Sequence, residues 1–442
     1  MNQENKKLIY DTYEKPPLGE WIILALQHVI AMFGATILVP ILVNKAAHAE
    51  VMSIPTALIC SGIGTLLYIL ATKGKSPVYL GSSFTFIAPV AAVFIKDGIS
   101  GVATGIVSVG LVYILFSFFI KLFGKGWIHK LLPPIVVGPM IMIIGLSLAP
   151  NAIAQIGLDN GAIAWQSIFI AIVSFLVTAV VAIYAKGIFK VIPFLIGIIS
   201  GYLLSASLGL IDFSLIKDAT YVSLPRIVLP LKDYSFSLVG MLTMLPIALV
   251  SISEHIGDHM ALSSIIEKDL TKDPGLDRTL LGDGLATTFA GLIGGPANTT
   301  YGENTSIVGM SRVASVWVIG LAAIISICLA FLGKVTAIFQ TIPDEVLGGV
   351  SLLLYGFISV NGLKVLIENK TDFNNIRNIV IVSSMLIFGL GGAIITLETN
   401  NLSISLTGMS LSAIVGIILN LVLKDPNENT IFKRIKNLFR KD

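Results

Sequence analysis

Apolar runs of roughly twenty residues alternate with short clusters of Lys, Arg, Asp, Glu, Asn and Pro along almost the whole chain. A helix crosses the hydrocarbon of a bilayer with about 20 mainly apolar residues, and fourteen windows approach that pattern. The first seven are predicted at 21–44, 54–72, 80–94, 101–123, 133–149, 167–185 and 192–210. The second seven are predicted at 236–255, 276–293, 301–310, 313–332, 346–367, 379–397 and 404–422. The third and the tenth are too short to cross as complete helices. A backbone that stops being helical at membrane depth is tolerated only where protein, water or a ligand satisfies it.

Composition agrees with the pattern. The 442 residues are 55% hydrophobic and only 12% charged, with a mean hydropathy of +0.89; these values belong to a bilayer protein rather than a soluble domain. The net charge of +3 comes from scattered basic residues, which argues against a nucleic-acid partner. Charge also orients the spans. With the N-terminus inside, the tails hold nine Lys and Arg, the inner loops fourteen and the outer loops six, so both termini are expected in the cytoplasm. The polar start of the chain has no apolar core leading to a cleavage site, so the first span is expected to begin insertion. The basic tail is expected to lie on the cytoplasmic lipid surface. Cys60 and Cys328 form no paired motif and are expected to be buried free thiols.

The two halves echo each other. "LQHVIAMFGAT" carries His28 and "SEHIGDHMALS" carries His255; "GTLL" precedes "VYLGSSF" as "ATTF" precedes "TTYGENT"; and "LPPIVVGPM" matches "IPDEVLGGV" in order. An odd number of spans repeated once must place the second copy upside down, the inverted repeat of many secondary transporters. The expected fold is therefore an all-α polytopic membrane protein of 14 transmembrane segments in two inverted 7-segment repeats. Such folds hold the substrate near the midplane, where short segments occupy matching positions in the two halves, here the third and the tenth.

An ionisable side chain inside a span costs about 3 kcal/mol on insertion scales, so each one suggests a functional role. Glu254 and Asp258, four residues apart, share one helix face, with His255 and His259 on the neighbouring one. Glu303 follows Tyr301 and Gly302 on the tenth segment. Two acids facing one cavity suit a ligand that presents N–H groups, and they suit proton binding. His255 is expected to be a structural hydrogen-bonding residue and His259 to sit at the water boundary, near the end of the eighth span.

"LQHVIAMFGAT", "YLGSSFTFIAP", "SEHIGD", "NTTYGENT" and "GGVSLLLYG", in this order over nearly the whole chain, resemble the nucleobase:cation symporter-2 (nucleobase-ascorbate transporter) family, and most closely its bacterial uracil permeases. The resemblance implies a core domain (19–125 and 235–340) and a gate domain (126–212 and 341–423), flanked by cytoplasmic tails at 1–18 and 424–442. It further implies that Glu254 and Glu303 hydrogen-bond uracil, that Phe84 packs near the ring, and that main-chain groups around Ser83 and Gly302 meet its polar edge. Tyr301 is also expected to bind the substrate, and Tyr355 to approach it from the gate. His28, His255 and Asn304 are expected to support it. Purine-transporting relatives typically carry Gln where this chain has Glu303, which favours a pyrimidine. Asp258 stands where uracil-transporting relatives have His, which makes Asp258, with Glu254, the candidate for proton coupling.

The resulting expectation is a secondary active transporter in the cell membrane, not an enzyme. It would import uracil with H+ by alternating access, use no cofactor or metal, and form a homodimer through its gate domains. Two alternatives within transporters are a xanthine or urate permease of the same family and, more distantly, an anion exchanger of similar architecture. From a different class comes an intramembrane metal hydrolase, because "HIGDH" approximates the zinc pattern H-x-x-E-H and would use His255 and His259.

Overall fold

The structure is a computed structural model that describes residues 8–159, 161, 164–190, 192–225, 227, 235–399, 402–406 and 408–423. The basic tail and the first seven residues lie outside the described residues. The chain begins with helices α1 (Leu18–Ala47) and α2 (Ile54–Ala71), a short strand β1 (Leu80–Ser82), and a 3-10 turn (Phe84–Phe86) that runs into α3 (Ile87–Phe123). Then come α4 (Gly126–Leu131), α5 (Pro134–Ile156), α6 (Trp165–Tyr184), α7 (Pro193–Ser207) and α8 (Ser214–Asp218). The second half holds α9 (Leu238–Ile266), α10 (Leu276–Leu292), β2 (Asn298–Thr300), α11 (Gly302–Ser311), α12 (Val316–Leu329) and α13 (Gly333–Gln340). It closes with α14 (Asp344–Glu368), α15 (Ile376–Leu390), a hairpin of β3 (Ile395–Thr399) and β4 (Leu402–Leu406), and α16 (Gly408–Val422).

Among the described residues, seven helical stretches are long and apolar enough to cross a membrane, and α7, α12, α15 and α16 are shorter apolar helices. Local chemistry sets several starts. Ser53 caps α2 by accepting from the Thr56 amide, Ser237 caps α9 through the Gly240 amide, and α5 and α7 begin on prolines, whose missing N–H is no loss there. The expected third and fourth segments form one stretch, Phe84–Phe123. It is interrupted at Gly98, whose φ of 60° no β-carbon would favour.

Three expectations need correction. The eighth span, α9, does not end at His255 but continues to Ile266, so the cluster of polar residues is interior to it. The helices of the thirteenth and fourteenth spans are shorter than their apolar windows, because residues 395–399 and 402–406 pair as an antiparallel hairpin. Cys60 is buried, but Cys328 is exposed on α12.

The helices pack in two groups. α3 lies against α10 and α9, α10 also against α2, and α12 against α2 and α1; separately, α14 packs on α5, α6 and α7, and α15 on α16 and α5. Each group has a seam where backbones touch. A β-carbon on Gly110 of α3 would lie 2.7 Å from the Gly284 carbonyl oxygen of α10, and one on Gly362 of α14 would lie 2.5 Å from the Gly138 carbonyl oxygen of α5. Apolar attraction between helices is weak inside lipid, so small residues that permit close van der Waals contact carry the association. On the outside, α6 turns Phe169, Ile172, Leu176, Val180 and Ile183 outward.

Candidate functional site

The two short segments meet. β1 and β2 pair antiparallel, with Leu80 opposite Thr300, Gly81 opposite Thr299 and Ser82 opposite Asn298. Each strand passes almost at once into a helix, the 3-10 turn and α3 on one side and α11 on the other. The pairing satisfies backbone groups that have left helical geometry deep in the protein. Each strand is also held by one threonine of the preceding helix. The Thr65 hydroxyl of α2 accepts from the Leu80 amide (3.0 Å) and donates to the Leu80 carbonyl (3.3 Å). The Thr287 hydroxyl of α10 accepts from the Asn298 amide and donates to the Asn298 carbonyl, both at 3.2 Å. These threonines stand in "GTLL" and "ATTF", so the sequence echo corresponds to the same clamp made twice.

The acidic residues converge on this crossing. Thr85, in the 3-10 turn, donates its hydroxyl to Glu254 at 3.2 Å, and Thr300 of β2 donates to Asp258. Glu303 lies in the first turn of α11, where the amides lack helical acceptors and the helix dipole favours negative charge. Glu303 and Phe84 line one cleft with Ala31 and Gly34 of α1; the opposite wall is Ile192, Phe194 and Leu195 at the start of α7 and Leu354 of α14. Gly302 is exposed, with open space where a β-carbon would stand.

Three expected site residues are placed differently from the simplest expectation. The Ser83 amide is already bonded to the Ala297 carbonyl at 2.9 Å, while its buried hydroxyl has no partner. The Tyr301 hydroxyl donates to the Ser82 carbonyl at 3.0 Å and accepts from Thr36 at 3.1 Å. Its ring fills the space beside Gly81, where a β-carbon would lie 2.3 Å from Tyr301 Cζ, so the side chain braces the crossing. Tyr355 is buried with an unpartnered hydroxyl, and its neighbour Leu354 is the residue that lines the cleft.

The histidines form a second layer. His255 Nδ1 lies 2.8 Å from Asp283 Oδ2, with both side chains fully buried. His259 is also fully buried, which corrects the expectation that it sits at the water boundary. Its Nδ1 donates to the His255 carbonyl at 2.7 Å, leaving Nε2 to accept from the Tyr68 hydroxyl at 2.5 Å; Tyr68 also bonds Ser76 at 2.9 Å. The two imidazoles stack at 4.1 Å. With both nitrogens of His259 so engaged, the pair does not present the free face that a metal would need, which removes the basis of the hydrolase reading. On α11, the Asn304 amide donates to the His28 carbonyl at 3.1 Å and lies 3.1 Å from His28 Nδ1. This contact ties the helix bearing Glu303 to α1.

Sequence reasoning missed Asp283, Tyr68, Thr85 and Thr300. Asp283 could have been found, since it is an acid within the ninth predicted span and the rule that singled out Glu254 applies to it equally. The hydroxyl partners carry no comparable signal.

Comparison with known proteins agrees with this architecture. A family described as the Permease family, the nucleobase:cation symporter-2 group, matches residues 19–398. The uracil permease of Bacillus subtilis (strain 168) is 44% identical over 430 residues, covering 96% of this chain and 97% of that protein. The uracil permease of Escherichia coli (strain K12) is 42% identical over 416 residues, covering 93% of each. Among solved structures, the transmembrane domain of a cyanobacterium bicarbonate transporter, BicA, superimposes with a TM-score of 0.57 at 14% identity, covering 90% of this chain and 97% of that one. A murine Solute Carrier 26 family member A9 anion transporter in the inward-facing state gives 0.65 at 13% identity, covering 92% and 68%. These two show a shared fold. The apolar helices and the match across residues 19–398 together make this chain a multi-pass membrane transporter rather than an enzyme, and it belongs to the nucleobase:cation symporter-2 permease family.

Proposed function

We propose that this protein imports uracil across the cell membrane in symport with protons, by alternating access. The observation that carries the reading is the crossing of β1 and β2, which gathers Glu303 and Phe84 on one cleft and bonds Glu254 to Thr85 beside it. Uracil has two N–H donors and two carbonyl acceptors. Glu254 and Glu303 would accept the donors, and main-chain amides at the start of α11, around Gly302, would meet a carbonyl. Each polar group left unpaired would cost about 1–3 kcal/mol. Phe84 would pack on the ring, with Ser83 and Tyr301 holding the crossing and Tyr355 behind the gate wall. The identity to permeases named for uracil supports the substrate.

The fold in this reading is 14 segments in two inverted repeats, and the paired threonine clamps of Thr65 and Thr287 support it. The core domain would be 19–125 with 235–340 and the gate 126–212 with 341–423, a division consistent with the two packing groups. Both termini would be cytoplasmic. The outward apolar face of α6 would meet lipid or a second copy. Uracil is neutral at pH 7, so the membrane potential alone does not concentrate it and a cation must supply the drive. Asp258, bonded to Thr300 and one helical turn from Glu254, would hold the proton. Uptake of labelled uracil by a transport-deficient host tests the proposal: accumulation that a protonophore abolishes, and that xanthine and urate do not inhibit, is expected. Failure to accumulate uracil, or inhibition by xanthine as strong as by unlabelled uracil, would overturn it.

A further inference from the structure

The chemistry of the cleft is unequal on its two sides. Its carboxylate comes from Glu303, on the same side as Phe84 and α1; Ile192, Phe194, Leu195 and Leu354 opposite are all apolar. Side chains without donors or acceptors select by shape alone. Uracil presents hydrogen-bonding groups around its ring except at C5 and C6, which carry only C–H. If the polar groups are met by the acids and the broken helices, the C5–C6 edge is the part left to face an apolar wall.

The wall is also firmly held. The Phe194 ring packs edge-to-face on Phe357 of α14, with centroids 5.8 Å apart and planes at 71°, an arrangement that fixes ring orientation. Leu195 abuts α1 where Gly34 has no side chain; a β-carbon there would stand 3.7 Å from Leu195 Cβ. Leu195 thus sets the approach of α7 to α1, and Phe194 presents its ring beside it, braced on one side by the half-exposed Phe357.

We propose that Phe194, buttressed by Phe357, is a specificity-determining residue that reads the C5 position of the pyrimidine and restricts substituents there. The inference rests on the proposal that the cleft binds uracil. The C5 substituent would meet the Phe194 ring, and a smaller side chain would make room for it. Wall contacts of this size discriminate by roughly 10-fold or more per added carbon.

The test measures inhibition of labelled-uracil uptake by uracil, thymine and 5-bromouracil in wild type, Phe194→Ala and Phe194→Leu, with surface expression quantified. The expected result is a fall of about tenfold in the ratio of the thymine inhibition constant to the uracil inhibition constant for Phe194→Ala, with a smaller fall for Phe194→Leu; 5-bromouracil should follow thymine. Phe357→Ala, which frees the ring without removing it, should lower the ratio partially. An unchanged ratio in the Phe194 variants that still take up uracil would overturn the inference. If Phe194→Ala is not expressed, the Leu variant decides by the same criterion. Absence of uracil uptake by expressed wild-type protein would instead refute the functional proposal on which the inference rests.

Discussion

Lys45, in the last turn of α1, makes an ion pair of 2.6 Å with Asp344, in the first turn of α14. It joins the two helix groups at the face that the charge distribution assigns to the outside. Each charge is favoured by its own helix end, but those helix–charge interactions would persist if the groups separated as the proposed alternating access requires. Only the contact between the side chains depends on closure. Because the side chains are 48% and 46% exposed, solvent screens the pair and its value falls to about 0.2–1 kcal/mol. Lys45→Ala is therefore expected to shift the ratio of outward-closed to outward-open protein by a factor of about 1.4 to 5, not by orders of magnitude. A sharper assay asks whether the contact must break. With Cys328→Ser removing the exposed native thiol, Lys45→Cys and Asp344→Cys joined by a short bis-maleimide should arrest uracil uptake, while either single cysteine should transport normally. Full uptake by fully cross-linked protein would refute the argument, since α1 and α14 would then not separate during transport.

Other outcomes follow from the site. Glu303→Gln should weaken uracil binding by about 10- to 150-fold, the range for a hydrogen bond to a charged group, measured by equilibrium binding to purified protein; unchanged affinity would dismiss the pose. Asp258→Asn should bind uracil but fail to concentrate it against a gradient, and wild-type accumulation would remove Asp258 from coupling. The segment ahead of α1, where Tyr10 pairs with Val313 and the Ala314 amide donates to the Tyr10 carbonyl at 2.9 Å, should respond to acid. The Lys268 ammonium, 2.5 Å from Asp11, holds that carboxyl below its usual value, and Thr271 and Lys272 hold Asp269 down to about 2. Groups with depressed values stabilise the fold above their unfolded value of about 3.9 and lose that contribution as pH falls toward the folded value. Proteolysis of residues 9–15 should therefore accelerate below about pH 4, weakly because the charges are exposed, and Asp11→Asn should abolish Asp11's share of the acid dependence. A protease sensitivity flat from pH 7 to pH 2.5 would contradict this.

How far the chain could be read in advance depends on whether a feature's cause is local. The short third and tenth segments were legible because apolar length is a local property, and the repeated Thr before each of them proved to be the clamp on each strand. The end of the eighth span was not. Apolarity falls away at Glu254, so a criterion built on hydropathy stops the helix near His255, yet α9 runs on to Ile266. The reason is that its acids and histidines each find a partner far away in sequence: His255 Nδ1 in Asp283, His259 in Tyr68, Asp258 in Thr300 and Glu254 in Thr85. A buried polar group costs free energy only when unpaired, and pairing is a tertiary property that no window along the chain contains. The same holds for the cleft's second wall. Ile192 to Leu195 read as the unremarkable start of an apolar helix, and they matter only because α7 begins opposite Phe84 and Glu303. Charged positions thus announced one half of the site, whereas the apolar half became visible only when the two packing groups were seen face to face. Selectivity among pyrimidines should accordingly be sought on the apolar side, in residues that sequence motifs do not mark.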